Sequence, residues 1–119
     1  MNTISVRPLT CLLERGAGLP ALQVVVEVNE HADGVRFLLN GAALASWPAS
    51  LVRGVARLLV GEQARPDGVV VRVVALDAGG LVSVLTGGRF LFSLEFEPDG
   101  GLYAASVARG EPGRGPTTG

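Results

Sequence analysis

The chain has 119 residues, a formal net charge of −1 and a hydrophobic share of 48% with few aromatics. A chain of this length makes one domain that buries about two-thirds of the surface exposed on unfolding, so neither disulfide nor metal has to hold it together. Ten cationic against eleven acidic residues, with no run of cations, argue against an electrostatically driven nucleic-acid binder; the single Cys excludes an internal disulfide.

Every cation is Arg and the sole Ile is Ile4, an actinobacterial-like composition that points to a GC-rich bacterial genome. No apolar stretch approaches the roughly 20 residues of a membrane-spanning helix, and no basic segment leads into an apolar one, which together predict a cytoplasmic protein.

Residues 3–9 predict a first strand, with Pro8 at its end because proline cannot donate to a ladder. Residues 11–15 fit either an extension of that strand or one helical turn, and Gly16, Gly18 and Pro20 then break the chain. In LQVVVEVNE, Leu22, Val24, Val26 and Val28 alternate with Gln23, Val25, Glu27 and Asn29, which is the pattern of a strand. After the HADG turn, Val35, Phe37 and Leu39 alternate with Arg36, Leu38 and Asn40, completing a hairpin.

From Ser46 the spacing predicts a helix. SWPASLVRGVARLLVG offers Ser46 as N-cap, Pro48 in the first turn, an apolar stripe of Leu51, Val52, Val55, Leu58 and Leu59, and Gly61 as C-cap. Gly54 is a weak point of that helix, because glycine in a helix interior costs about 1 kcal/mol relative to alanine. EQARPDG then predicts a loop, and four strands follow over 69–77, 81–86, 89–97 and 102–107, joined by short glycine-bearing turns as an antiparallel meander.

These elements predict an α+β domain over residues 1–108, of order β-β-β-α-β-β-β-β, with a mainly antiparallel, curled sheet packed on one amphipathic helix. A Gly/Pro-rich disordered tail is expected over 109–119. Period-2 alternation puts Phe90, Phe92, Leu94 and Phe96 on one ridge beneath the helix. One helix about 10 Å wide covers about two or three strands 4.8 Å apart. The rest of the sheet must curl around the helix or pack on another protein surface.

Residues that could carry chemistry are few. His31, beside Glu30 and Asp33, has the chemistry of a general base or metal ligand, but an exposed turn residue is the favoured reading, because no second His, Cys pair or nucleophile motif accompanies it. Glu95 and Glu97, with Asp99 just beyond, share a strand face and read as a solvated edge unless Arg72 or Arg89 lies alongside. Cys11 sits among leucines and reads as an inert buried thiol. No catalytic residue, metal site or cofactor is assigned.

The order of hairpins, a Trp-led amphipathic helix (SWPASLVRGVARLLVG) and a terminal meander resembles small bacterial immunity proteins of the WapI-like kind over about residues 24–107. The resemblance implies a protein that neutralises a toxin by binding it and carries over no active-site residue. The apolar residues expected on the second sheet face, Val25, Leu38, Val70, Val74, Leu76 and Leu91, together with Trp47, are the candidates for an interface. The functional expectation is therefore a small non-enzymatic protein-binding module (adaptor, inhibitor or immunity-like) whose partner is another protein or a second copy in a homodimer. The alternative is a ligand-pocket protein or cyclase-like enzyme that takes a small apolar metabolite into a cavity lined by Phe37, Phe90, Phe92, Phe96 and Trp47, with Arg72 or Glu95 at its mouth.

Overall fold

A computed structural model describes residues 2–31 and 34–109; the expected tail beyond Arg109 lies outside the described residues. The described residues form eleven strands: β1 (Thr3–Val6), β2 (Leu9–Leu13), β3 (Leu22–Asn29), β4 (Gly34–Leu39), β5 (Ala42–Val52), β6 (Val55–Leu59), β7 (Gly61–Ala64), β8 (Val69–Leu76), β9 (Gly79–Thr86), β10 (Arg89–Phe96) and β11 (Leu102–Val107). Among the described residues there is no helix, so the α+β expectation is corrected to all-β. Among the described residues, then, no helix is long and apolar enough to cross a membrane.

The expected helix is the β5–β6 hairpin. Arg53 and Gly54 have φ of 56° and 78° between the paired residues Val52 and Val55, the left-handed conformations of a two-residue hairpin turn. The glycine that weakened the helix thus makes the turn. Trp47, Ala56 and Leu58 point into the core, whereas Val52 (48% exposed) and Leu59 (42%) lie on the other face, so the apparent helical stripe divides between two sides of a sheet. Pro48 is tolerated because Gly34↔Pro48 is the last β4–β5 pair and Ala49 begins pairing with β6.

All ladders are antiparallel and form two sheets, β1-β6-β5-β4-β3-β2 and β11-β10-β9-β8-β7. Residues 11–15 resolve as strand through Leu13, the meander from β8 to β11 stands in sequential order, and the expected 62–68 loop contains most of β7. Inward side chains of both sheets share one core: Ile4, Val6, Val24, Val26, Val35, Phe37 and Leu58 from the first, and Val71, Val73, Val82, Val84, Phe92, Leu94 and Phe96 from the second. In place of a helix, one sheet covers the other.

Two devices hold the sheets in place. β1 crosses β9 so closely that a methyl group on Gly80 would lie 2.5 Å from Cβ and Cγ2 of Ile4. Where β5 has left the β6 ladder, Gln63 Nε2 donates to the Ser46 carbonyl (2.9 Å) and Arg65 Nη1 to the carbonyls of Ala43 (2.8 Å) and Leu44 (2.9 Å). These bonds satisfy strand carbonyls that have no ladder partner there.

Candidate binding surface

On the outer face of the five-stranded sheet, the register sets residues in rows. Ala64, Val70, Leu85 and Phe90 make one apolar row, and Val74 and Leu81 lead into Glu95 and Ala104 in another. Between them run Glu62, Arg72, Ser83, Ser93 and Ser106, with Arg72 Nε 3.1 Å from Glu62 Oε1. Each apolar row is therefore narrow and bordered by polar side chains.

The interface candidates fall into separate groups. Val70, Val74 and Leu76 share this outer face, while Val25 and Leu38 are half-buried neighbours on the outer face of the other sheet, beside the Arg36–Glu27 ion pair (2.8 Å). Leu91 is the extra residue of a bulge between Phe90 and Phe92 and packs against the core. Trp47 is 4% exposed, stacks edge-on to Phe37 at 6.3 Å and donates from Nε1 to the Leu59 carbonyl at 2.7 Å. It is a core residue, with no free face for a partner.

The same bulge breaks the phenylalanine ridge. Phe92, Leu94 and Phe96 are buried, but Phe90 pairs with Leu85 on the outer face and is 43% exposed, because one added residue reverses the alternation. The expected pocket aromatics consequently do not face one cavity. Arg72 is engaged by Glu62, and Glu95 lies two strands away in the next row. β10 is an interior strand, so Glu95 is not on an edge, while Glu97 lies just past the strand in the turn to β11; both line a hollow of about 340 Å³ with Ala78, Phe96, Pro98 and Tyr103.

His31 is exposed, its backbone N–H donating to Asn29 Oδ1 at 3.1 Å, and Asp33 lies outside the described residues. Burial pushes the Cys11 thiol above its ordinary value of 9.0. Among the described residues no group of three His, Cys, Asp or Glu could hold a metal ion.

The feature that sequence reasoning missed is the state of the sheet edges. The free edges are β1, β2, β7 and β11. β1 and β7 are four residues long, and β2 is five, follows Pro8 and turns Leu13 into the core. Short edge strands and flanking proline are ordinary protections against strand addition. β11 has six residues, LYAASV, carries neither charge nor proline, and is exposed at every position from Leu102 to Ser106. Tyr103 (67% exposed) on β11 and Leu12 (60%) on β2 are the most exposed large apolar side chains, and the two strands approach each other where Arg15 Nε reaches the Ala108 carbonyl at 3.5 Å. The signal present in the sequence was a charge-free last strand between the acidic turn EPDG and Arg109.

Comparison with family models, with curated proteins and with solved structures finds no match for the chain. The Trp-led segment behind the resemblance to WapI-like immunity proteins is strand here.

Proposed function

We propose that the chain is a small non-enzymatic protein-binding module of the cytoplasm that pairs through the free edge of β11, and that the occupant of this edge is a second copy of itself. The carrying observation is β11: six uncharged residues, of which Leu102 to Ser106 are exposed on both faces, the longest edge strand among the described residues. An unpaired strand offers a row of N–H and C=O groups to another strand, and main-chain bonds supply the affinity of such pairing.

Charge complementarity favours self-pairing. The turn before β11 carries Glu97 and Asp99, and Arg109 follows its end; all three are exposed. An antiparallel two-fold pair brings the end of one strand to the start of its mate, so Arg109 of each copy approaches the acidic turn of the other while Ala104 and Ala105 meet at the centre. No like charges face one another across the strands.

A strand pair of this length is a small interface, below the roughly 1,200 Å² of a standard one, so a dissociation constant of about 10–100 µM is expected. Sedimentation across that range should show a monomer–dimer equilibrium, with the outward-pointing β11 amides, those not bonded to β10, protected from hydrogen exchange at the upper end. Ala104→Lys should give a folded monomer in which those outward amides exchange fast while the amides bonded to β10 stay protected. A wild-type chain that stays monomeric with fast-exchanging outward β11 amides refutes the second copy as occupant; a dimer unaffected by Ala104→Lys refutes β11 as the surface.

A further inference from the structure

Arg7 meets Arg53 and Arg57, two neighbours from the distant β5–β6 hairpin, at one end of the six-stranded sheet. Arg7 follows β1, Arg53 occupies the β5–β6 turn and Arg57 stands in β6; together with Ser5, Val52, Val55, Pro98 and Asp99 they line a hollow of about 280 Å³. The ion pairs among the described residues, Arg36–Glu27, Arg65–Asp67 and Arg72–Glu62, involve none of them. Asp99 is the one carboxylate in the lining, and its Oδ1 accepts from the Gly101 N–H at 2.9 Å. Three positive groups against one negative make this the reverse of the chain's overall −1 balance.

The arrangement is built from the backbone outward. Arg57 pairs with Ser5 on one side and Ser50 on the other, so a guanidinium stands between two hydroxyl-bearing residues on the outer face. Arg7 is pinned twice, its N–H donating to the Gly100 carbonyl and its Nε to the Asp99 carbonyl, both at 2.9 Å, which leaves its terminal nitrogens for another acceptor. Arg53 has φ of 56°, in a turn position where Asn, Asp or Gly is favoured; the Asn40–Gly41 turn (φ 50° and 85°) shows the usual choice in this same chain. A guanidinium offers planar, forked N–H donors that match phosphate oxygens, and several around one hollow favour a dianion over a carboxylate.

We propose that this hollow binds a phosphomonoester group, carried by a small metabolite or by a phosphorylated side chain. The hollow shares Asp99 with the acidic turn before β11, but its three arginines lie outside that strand, so the phosphate titration reads it whether or not β11 pairs. Amide chemical shifts of the full chain would be followed during titration with inorganic phosphate at constant ionic strength set by chloride, then with glycerol phosphate and with a phosphoserine peptide. Saturable shifts of Ser5, Arg53 and Arg57 are expected, with an inorganic phosphate dissociation constant of about 1 mM. Arg57→Gln should weaken binding at least about tenfold, whereas Arg89→Gln, at the start of β10, should leave it unchanged. Tighter binding of the peptide than of glycerol phosphate identifies a protein-borne group, and the reverse order a metabolite. Shifts that do not saturate, or that persist equally in a folded Arg57→Gln chain, overturn the proposal.

Discussion

Gly80→Ala tests the packing of the two sheets at a single atom. Gly80 has no positive φ, so alanine suits its backbone, and by its effect on the unfolded chain alone the change would stabilise by about 0.4–1 kcal/mol. The added methyl, however, falls 2.5 Å from Ile4 Cβ and Cγ2 and 2.7 Å from its Cδ1, and Ile4 is 3% exposed. Cβ itself is among these atoms, so rotation of the Ile4 side chain cannot relieve the clash; β1 must move away from β9. Overpacking of this kind costs about 1–3 kcal/mol. An unfolding entropy of about 2.1 cal/mol/K per residue over a chain of this length is about 0.25 kcal/mol/K, so each kcal/mol lowers Tm by about 4 °C. A fall of about 4–12 °C in calorimetry is expected on that basis. Gly61→Ala is the control, since its methyl would meet only Trp47 Cζ2 at 3.9 Å, an ordinary contact. If Gly80→Ala matches Gly61→Ala in Tm, β1 does not lie over β9 and the shared core is wrongly described.

Arg65→Ala removes the donors to the Ala43 and Leu44 carbonyls; with one bond exposed and the other part-buried the loss should be about 1–2 kcal/mol by denaturant titration. Trp47→Phe deletes the bond to the Leu59 carbonyl and leaves space beside Phe37, for a cost of about 1–3 kcal/mol read the same way. Cys11, whose thiol is pushed up by burial, should react with iodoacetamide more slowly than free cysteine at pH 8. Below 9.0 both folded and unfolded chains hold its proton; above it the unfolded chain loses the proton first, so its contribution to stability falls as pH rises. Cys11→Ser should remove that alkaline component in melts recorded between pH 8 and 10.

The strands that the sequence made legible are those with one apolar and one polar face or a clear glycine turn, such as β3, β4 and the meander β8–β11. The β5–β6 hairpin was hidden because both its faces carry apolar residues: Val52 and Leu59 outside, Leu51 and Leu58 inside. Merged into one list, these residues satisfy a 3.6-residue spacing as well as a period of two. The decisive datum was local: Arg53–Gly54 fits a two-residue hairpin turn, and glycine there is favourable, while in a helix it is a defect. The Phe90 error has a related origin, since a bulge inserts one residue without any composition signal and shifts every later side chain by one face.

The candidate surfaces were less legible for a deeper reason. Leu102 to Val107 were read as strand with their observed bounds, yet nothing within LYAASV says that no strand lies beyond it. Edge status is a property of the whole topology, set by which segment fails to arrive. Arg7 poses the same problem: Arg53 and Arg57 share one hairpin, and only the pairing of β1 with β6 brings Arg7 to them in one hollow. Sequence reasoning tests continuity along the chain, whereas both surfaces are assembled across it. The absence of a basic run bears only on an electrostatically driven nucleic-acid binder; a hollow that antiparallel pairing lines with Arg7, Arg53 and Arg57 leaves no such run in the sequence.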